Sequence, residues 1–336
     1  MLNGTPPEVS LVICTHNPRM DYLGRVLRAL QRQTLSINRW ELLLVDNASK
    51  EPLATRIDLS WHPQAQLIRE NELGLTAARV RGISESSSAL LVFCDDDNVF
   101  EPGYLEEALR ISGGWPTLGA WGGQLFPEFE TTPPEWTRQY WPLLAVGSFE
   151  NDRWSNQYDP QATPCGAGLC VRRSVAERYR QALQGDPNRS QLDRRGASLM
   201  SGGDTDMALT ACDMGLGTGL FASLQLRHLI PSNRVTLDYL LKMREAHTFS
   251  LKILDSFRSR QTYRTSRLRR AFDFVRAFLM PGVQGKFRRA SLRGDLKAQR
   301  VLNAAATSTG AVEPARSGDN LLSVSAPADF SKQESR

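Results

Sequence analysis

Apolar residues in the first hundred positions follow two alternating spacings. Val9-Ser-Leu-Val-Ile-Cys14, Trp40-Glu-Leu-Leu-Leu-Val45 and Ala89-Leu-Leu-Val-Phe-Cys94 are short, nearly continuous apolar runs, as expected of strands buried on both faces. Gln66–Arg69 predicts another. Between these runs the spacing turns helical. Leu23, Val26, Leu27 and Leu30 predict a helix over 21–33 with Asp21 available as its cap, and further helices are expected over 76–84 and 101–111. Strands alternating with helices predict a parallel sheet with crossover helices, whose ligands sit outside the carboxyl ends of the strands. Polar residues stand at those ends: Thr15, His16 and Asn17, then Asp46 and Asn47, Asn71, and Asp95 to Asn98.

The pattern then breaks. Residues 112–164 hold Trp115, Trp121, Trp136, Trp141 and Trp154 among several prolines. They predict an irregular insertion in which most of the rings pack as core and one or two form a platform for a sugar or lipid acceptor. Gly166–Val171 reads as a strand followed by a helix from Ser174. Gly202-Gly203 predicts a tight turn into a helix ending near Met214, capped by Asp204 or Thr205. Leu220–Leu226 reads as a strand with His228 after it. Amphipathic helices are expected over 235–256 and 264–280, and a disordered tail from Ala304. The division this implies is a first domain over 1–234 (nucleotide-binding half 8–111, acceptor half 112–234), a basic helical extension over 235–303 and the tail over 304–336.

With 336 residues, 41% of them hydrophobic, a full core is available. The five cysteines are scattered and odd in number, and the start lacks the features of a secretion signal, so reduced thiols in a cytoplasmic protein are expected. No apolar run approaches the roughly 20 residues of a membrane span. Charge changes the picture more. The formal net charge is +5, yet residues 242–300 carry sixteen Lys or Arg against four acids, so a basic segment sits on an acidic body. Such a segment is either a solvated face or a contact for anionic lipid, with Phe272, Phe274, Phe278, Leu279 and Met280 as apolar anchors. Peripheral docking on the inner face of the membrane would follow. No nucleic-acid partner is expected.

Asp95-Asp96-Asp97 at the end of an apolar strand is the chemically pointed feature. Carboxylates this close repel, and burying one unpaired costs several kcal/mol. The triplet is either a solvated acidic turn or the seat of a divalent cation, since Mg²⁺ and Mn²⁺ prefer hard oxygen ligands together with substrate phosphates.

Val9–Asn17, Trp40–Ser49, Asn71–Gly82 and Leu90–Leu105 resemble, in order and spacing, the nucleotide-binding half of glycosyltransferase family 2, and Gly202–Asp206 resembles that family's Glu-Asp motif at a helix start. The resemblance covers about 8–230. It implies the GT-A fold, a Rossmann-like mixed α/β sheet flanked by helices, here with C-terminal amphipathic helices added. It also implies an inverting enzyme using a nucleotide diphosphate sugar, with UDP-sugar favoured, and Mn²⁺ or Mg²⁺. By position, Thr15, Asn17 and Asp46 would meet the nucleoside, and Arg79 the diphosphate. Asp95 and Asp97, or Asp96 and Asp97 if the register slips, would form the metal motif, with Asp97 the direct ligand. Asp204 would be the general base, and His228 resembles a histidine that ligates metal in some members. Gly203 departs from the usual Glu, and His16 from the usual Tyr or Phe. The Gln-x-x-Arg-Trp signature of processive synthases is absent after Gly215, which favours transfer of one sugar to a glycan or lipid-linked acceptor.

Residue chemistry leaves plainer readings beside these. Asp46 can hold a turn, Arg79 can be a surface helix arginine in a salt bridge, Asp206 can be a first-turn charge, and His228 can be a packed histidine. Two other functions compete. A nucleotidyltransferase usually carries a Gly-rich phosphate loop after its first strand, where this chain has Thr15-His-Asn-Pro-Arg19. A catalytically inactive binding protein on the same fold would accommodate the Gly203 departure.

Overall fold

The computed structural model describes residues 6–185, 189–194, 196, 199–258 and 267–308. Four strands pair in parallel in the order β3-β2-β1-β4: β1 (Val9–Thr15), β2 (Trp40–Asn47), β3 (Ala65–Glu70) and β4 (Leu90–Asp95). Side chains alternate across them, which is why the apolar runs are unbroken. Leu11, Ile13, Leu42, Leu44 and Val92 face one layer, with α1 (Met20–Leu30) and, after a two-residue turn and the short β5 (Asn98–Phe100), α3 (Tyr104–Gly114). Val12, Leu43, Val45, Leu91 and Phe93 face the other, which includes α2 (Leu75–Glu85). Burying one such side chain contributes about 1.5–3 kcal/mol, so this half is the rigid part on which the strand ends are mounted.

Beyond β4 the sheet turns mixed. β6 (Leu118–Phe129), the short β7 (Arg153–Ser155), β8 (Cys170–Arg172) and β9 (Gly217–Ile230) complete it in the order β4-β8-β6-β9-β5, with β7 paired to β9. The helices α4 (Arg173–Gly185) and α5 (Gly203–Asp213) cover the second layer. The twelve-residue β6 lies inside the stretch read as irregular. Its glycines admit close neighbours: a Cβ on Gly119 would meet Ala211 Cβ at 2.5 Å. The longer β9 also corrects the placing of His228, which lies within the strand opposite Asn98 rather than after it.

Of the five clustered tryptophans, Trp121 is fully buried and Trp154, 56% exposed, leans on Trp115 at 6.2 Å. The first helix is not capped by Asp21. Its N-cap is Arg19, whose guanidinium pairs with Asp21 in the first turn.

Three C-terminal helices follow, α6 (Leu237–Arg258), α7 (Arg267–Leu279) and α8 (Gly282–Ser308). The first and last join the body. Leu240 and Phe287 pack with Tyr140, Leu144 and Ile230, and Phe249, Ile253 and Ala298 pack with Leu192 and Leu209. Ion pairs hold them as well, Lys252 with Asp295 and Arg293 with Glu245, each at 2.7 Å. Arg258 at the end of α6 reaches Asp206 at 2.7 Å and Asp213 at 2.9 Å. Part of the basic run is therefore neutralised inside the molecule. α8 continues to Ser308, past the position where a tail is expected, because Ala304–Ala306 favour helix. The remainder of that tail, 309–336, lies outside the described residues. No helix among the described residues is long and apolar enough to cross a membrane.

Candidate active site

The carboxyl ends of β1, β2 and β4 stand level, with Thr15 beside Asp46 and Cys14 beside Asp95. They open on a cavity of about 460 Å³. Thr15, Arg79, Asp95, Asp96, Asp97, Asp204 and His228 all line it. Residues distant in sequence thus share one space. Asn17 and Asp46 do not line it.

The acidic triplet is a tight turn between β4 and β5. Asp97 is 7% exposed and carries the pairing: Arg234 donates to its Oδ2 at 2.9 Å and His228 Nε2 lies 3.5 Å from the same oxygen. Burial alone would raise the Asp97 pKa, but His228 and Arg234 hold it well below the usual carboxylate range. Asp96 goes the other way. Burial, then the charge of Asp97, pushes it up to about 7 despite the hydrogen bond from Thr15 Oγ1. Asp95 is raised by the same two causes. Burial and the Asp97 charge thus oppose ionisation of Asp95 and Asp96, while Asp97 keeps its charge beside His228 and Arg234. The histidine's other nitrogen, Nδ1, has no hydrogen-bond partner among the described residues.

Asp204, also on the cavity, stands in the first turn of α5. It does not cap the helix, and neither does Thr205; the N-cap is Gly202, without a side-chain bond. Both carboxylate oxygens are held by backbone donors: Gly166 N–H to Oδ2 at 2.7 Å and Thr205 N–H to Oδ1 at 2.8 Å. A Cβ placed on Gly166 would lie 2.5 Å from Arg79 Nη2 and 3.0 Å from Asp204 Oδ2, so the arginine and the carboxylate reach the same point.

Arg79 is no surface arginine. It is 4% exposed and paired at 2.9 Å with Asp193, itself 4% exposed. Burial opposes the charge on Arg79, yet Asp193, Asp204 and Asp95 together raise its pKa. Asp193 also accepts from Thr76 Oγ1 at 2.9 Å and from Gly203 N–H at 3.2 Å, so it, rather than Asp204, satisfies the first free donor of α5. A Cβ on Gly203 would fall 2.2 Å from Asp193 Oδ2. The departure at Gly203 has this steric reason: a carboxylate from elsewhere in the chain already fills the place.

Several candidate residues have partners of their own within the protein. Asp46 has both oxygens engaged, by Ser49 N–H and Leu53 N–H at 3.2 Å and by Arg69 at 2.6 Å, which is the turn-holding arrangement. Asn17, in the left-handed region at φ 50°, accepts from Lys50 N–H and donates its own N–H to Ser49, tying two loops together. Asp206, in the first turn of α5, is fully buried against Arg258 and has Arg189 at 3.8 Å, so it also anchors α6. None of the tryptophans lines the cavity. Asp193, Arg234 and His247 were not singled out from sequence, and no local signal marks them, since each gains its place through a tertiary neighbour. Among the described residues no three or more His, Cys, Asp or Glu side chains are grouped so that they could hold a metal ion.

The strand-end acidic turn and the helix-start carboxylate of Asp204 thus line one cavity of a parallel-to-mixed sheet, and comparison with known proteins gives the family. Residues 10–180 match the family described as Glycosyl transferase family 2. The chain belongs to that family. It is similar to the uncharacterized glycosyltransferase YwdF of Bacillus subtilis, 33% identical over 31% of this chain and 37% of the relative, and to the glycosyltransferase AglE of Haloferax volcanii, 30% identical over 34% and 38%. These matches span little more than a third of the relatives' length. A crystal structure of S. aureus TarS 1-349 aligns over 91% of this chain and 93% of its own at 10% identity, with a TM-score of 0.48.

Proposed function

We propose that this protein is an inverting glycosyltransferase that moves one sugar from a nucleotide diphosphate sugar to a hydroxyl acceptor in the making of a cell-envelope glycan or lipid-linked glycan. The observation that carries this is the shared cavity, in which Asp97 and Asp204 face one space with Arg79. UDP-sugar is the first donor to try, on the family resemblance alone, because the Asp46 oxygens are occupied within the turn.

Asp204 takes the proton of the acceptor hydroxyl as that oxygen attacks the anomeric carbon. The bond from that carbon to the diphosphate breaks on the opposite face, and the nucleotide diphosphate leaves. Its two backbone hydrogen bonds hold the Asp204 carboxylate in one orientation for this task. Arg79, fixed by Asp193, and Arg194 on the cavity wall put positive charge where the diphosphate gathers negative charge. Thr15 orients Asp96.

The residues fit a divalent cation carried in with the donor. Asp95 and Asp97 bring two carboxylates of one turn to the cavity, the donor's diphosphate would add further oxygens, and hard oxygens are what Mn²⁺ and Mg²⁺ take. Asp97 and Asp95 would hold the ion, with His228 Nε2 beside Asp97. Such an ion supplies Lewis-acid neutralisation of the departing diphosphate. The test is to incubate the protein with Mn²⁺ and a panel of sugar nucleotides and to measure free nucleotide diphosphate. Slow release from one donor, absent without metal, is expected. No release from any donor would end the proposal.

α7 gives the basic segment its role. Phe272, Phe274, Val275, Phe278 and Leu279 are 50–77% exposed on this one helix, while Ala277 on its other side is fully buried. An apolar face within a segment of net charge +12 suits the surface of an anionic membrane. Docking falls to α7, since the Arg258 charge is used internally. Wild-type protein is expected to float with phosphatidylglycerol vesicles and a Phe274→Asp/Phe278→Asp/Leu279→Asp variant to stay behind. Equal recovery of the two would remove membrane docking and leave the transferase proposal standing.

A further inference from the structure

We infer that the wall of the cavity built by α6 and by the segment before β7 is an acceptor subsite for an alcohol that carries an apolar group. The inference rests on the transferase reading for the word acceptor. The binding preference it states rests on the wall itself.

Tyr239, Met243, His247 and Leu251 recur at four-residue intervals along α6, and all four line the cavity. Residues at that spacing share one helix face. Leu143 and Leu144, at the end of the 3-10 helix Glu135–Leu144, line it too. This wall is held firmly. Leu144 packs with Leu240, Ile230 and Phe287, and the Phe287 ring stacks on Tyr140 at 3.5 Å, 5° from parallel.

A nucleotide diphosphate sugar has little use for such a surface. Its phosphates, ribose and sugar hydroxyls call for charges and hydrogen bonds, and the strand ends, Arg79 and Arg194 provide those. An apolar wall in the same cavity as Asp204 is therefore matched to the other substrate, whose hydroxyl must reach Asp204. His247 and the Tyr239 hydroxyl are the polar groups on the stripe. Burial, then Arg244, lowers the His247 pKa against the pull of Asp204, so at neutral pH the imidazole ring is a neutral donor and acceptor for hydroxyls beside the apolar group. α6 lies wholly outside the 10–180 stretch that matches the family, while Leu143 and Leu144 lie within it, so the wall joins the family-matching part to the C-terminal helices. Two sources share the chemistry, a lipid-linked alcohol and an aryl glycoside.

The experiment measures dissociation constants for three glucosides by calorimetry on the full chain: methyl, n-octyl below its micelle concentration, and p-nitrophenyl. Burying several methylenes or a ring favours the apolar probes. At least tenfold tighter binding than methyl glucoside is expected for octyl if the source is lipid, or for p-nitrophenyl if it is aryl. Leu251→Glu, at a position 37% exposed and so tolerant of charge, should erase the gain, as should Met243→Glu. Equal binding of all three glucosides overturns the inference. So does a preference that survives both substitutions, because the apolar site would then lie elsewhere. Nucleotide release measured in the same samples reports on the transferase reading separately: a donor turned over without apolar preference sinks only the subsite, and apolar preference without turnover of any donor sinks only the transferase.

Discussion

Asp204→Asn is expected to lower sugar transfer by roughly 10²- to 10⁴-fold, the usual worth of a positioned general base, while nucleotide diphosphate binding stays within a few-fold of wild type. The side chain keeps its shape but loses its capacity to accept a proton. Part of the effect is structural and can be separated. Both Asp204 oxygens accept backbone N–H groups, and an amide can present an oxygen to only one of them. One lost hydrogen bond at a half-buried site costs about 1 kcal/mol, far too little to unfold the chain. Turnover and nucleotide affinity measured on the same preparation decide the matter. A variant with unchanged turnover would remove Asp204 from the chemistry, and one that loses nucleotide binding in proportion to turnover would make it a donor-binding residue instead.

The largest stability effect is expected at Asp193, a residue with no catalytic part in this scheme. Asp193 and Arg79 are a nearly fully buried pair. Asp193→Ala leaves the guanidinium without its closest counter-charge and strips acceptors from Thr76 and Gly203. Removing one partner of a buried pair typically costs about 3–5 kcal/mol, a large share of the roughly 5–15 kcal/mol of a folded domain. Urea unfolding should show a markedly lower midpoint, and activity should fall with it as Arg79 shifts. Asp193→Asn should be milder, since the amide oxygen still accepts one bond. An alanine variant as stable as wild type would mean that the pair contributes nothing to holding Arg79 in place.

Much of the nucleotide-binding half was readable from the chain because its strands are buried on both faces, which leaves unbroken runs such as Leu42–Val45. β6 was not. Gly119, Gly122, Gly123 and Pro127 read as loop, yet the strand uses its glycines to bring Ala211, Pro164 and Leu224 close, a packing demand that sequence periodicity does not encode. At the site, Thr15, Asp95 to Asp97 and Asp204 near the ends of predicted elements, and Arg79 within a predicted helix, were legible, and they line one cavity. Asp46 and Asn17 stood at the right strand ends, but neighbouring backbone and Arg69 occupy their polar groups. Asp193 and Arg234 were invisible because their meaning lies in partners 114 and 137 positions away. The Gly203 departure looked like a weakened motif in one dimension and is a filled site in three.

The most direct test is a crystal structure of the protein with Mn²⁺ and the donor sugar nucleotide that it turns over, using Asp204→Asn to slow hydrolysis. The diphosphate is expected beside Asp95–Asp97 and Arg79, with residue 204 facing the anomeric carbon from the side opposite the leaving oxygen. A nucleotide lodged outside this cavity, or an anomeric carbon turned away from residue 204, would contradict the assignment.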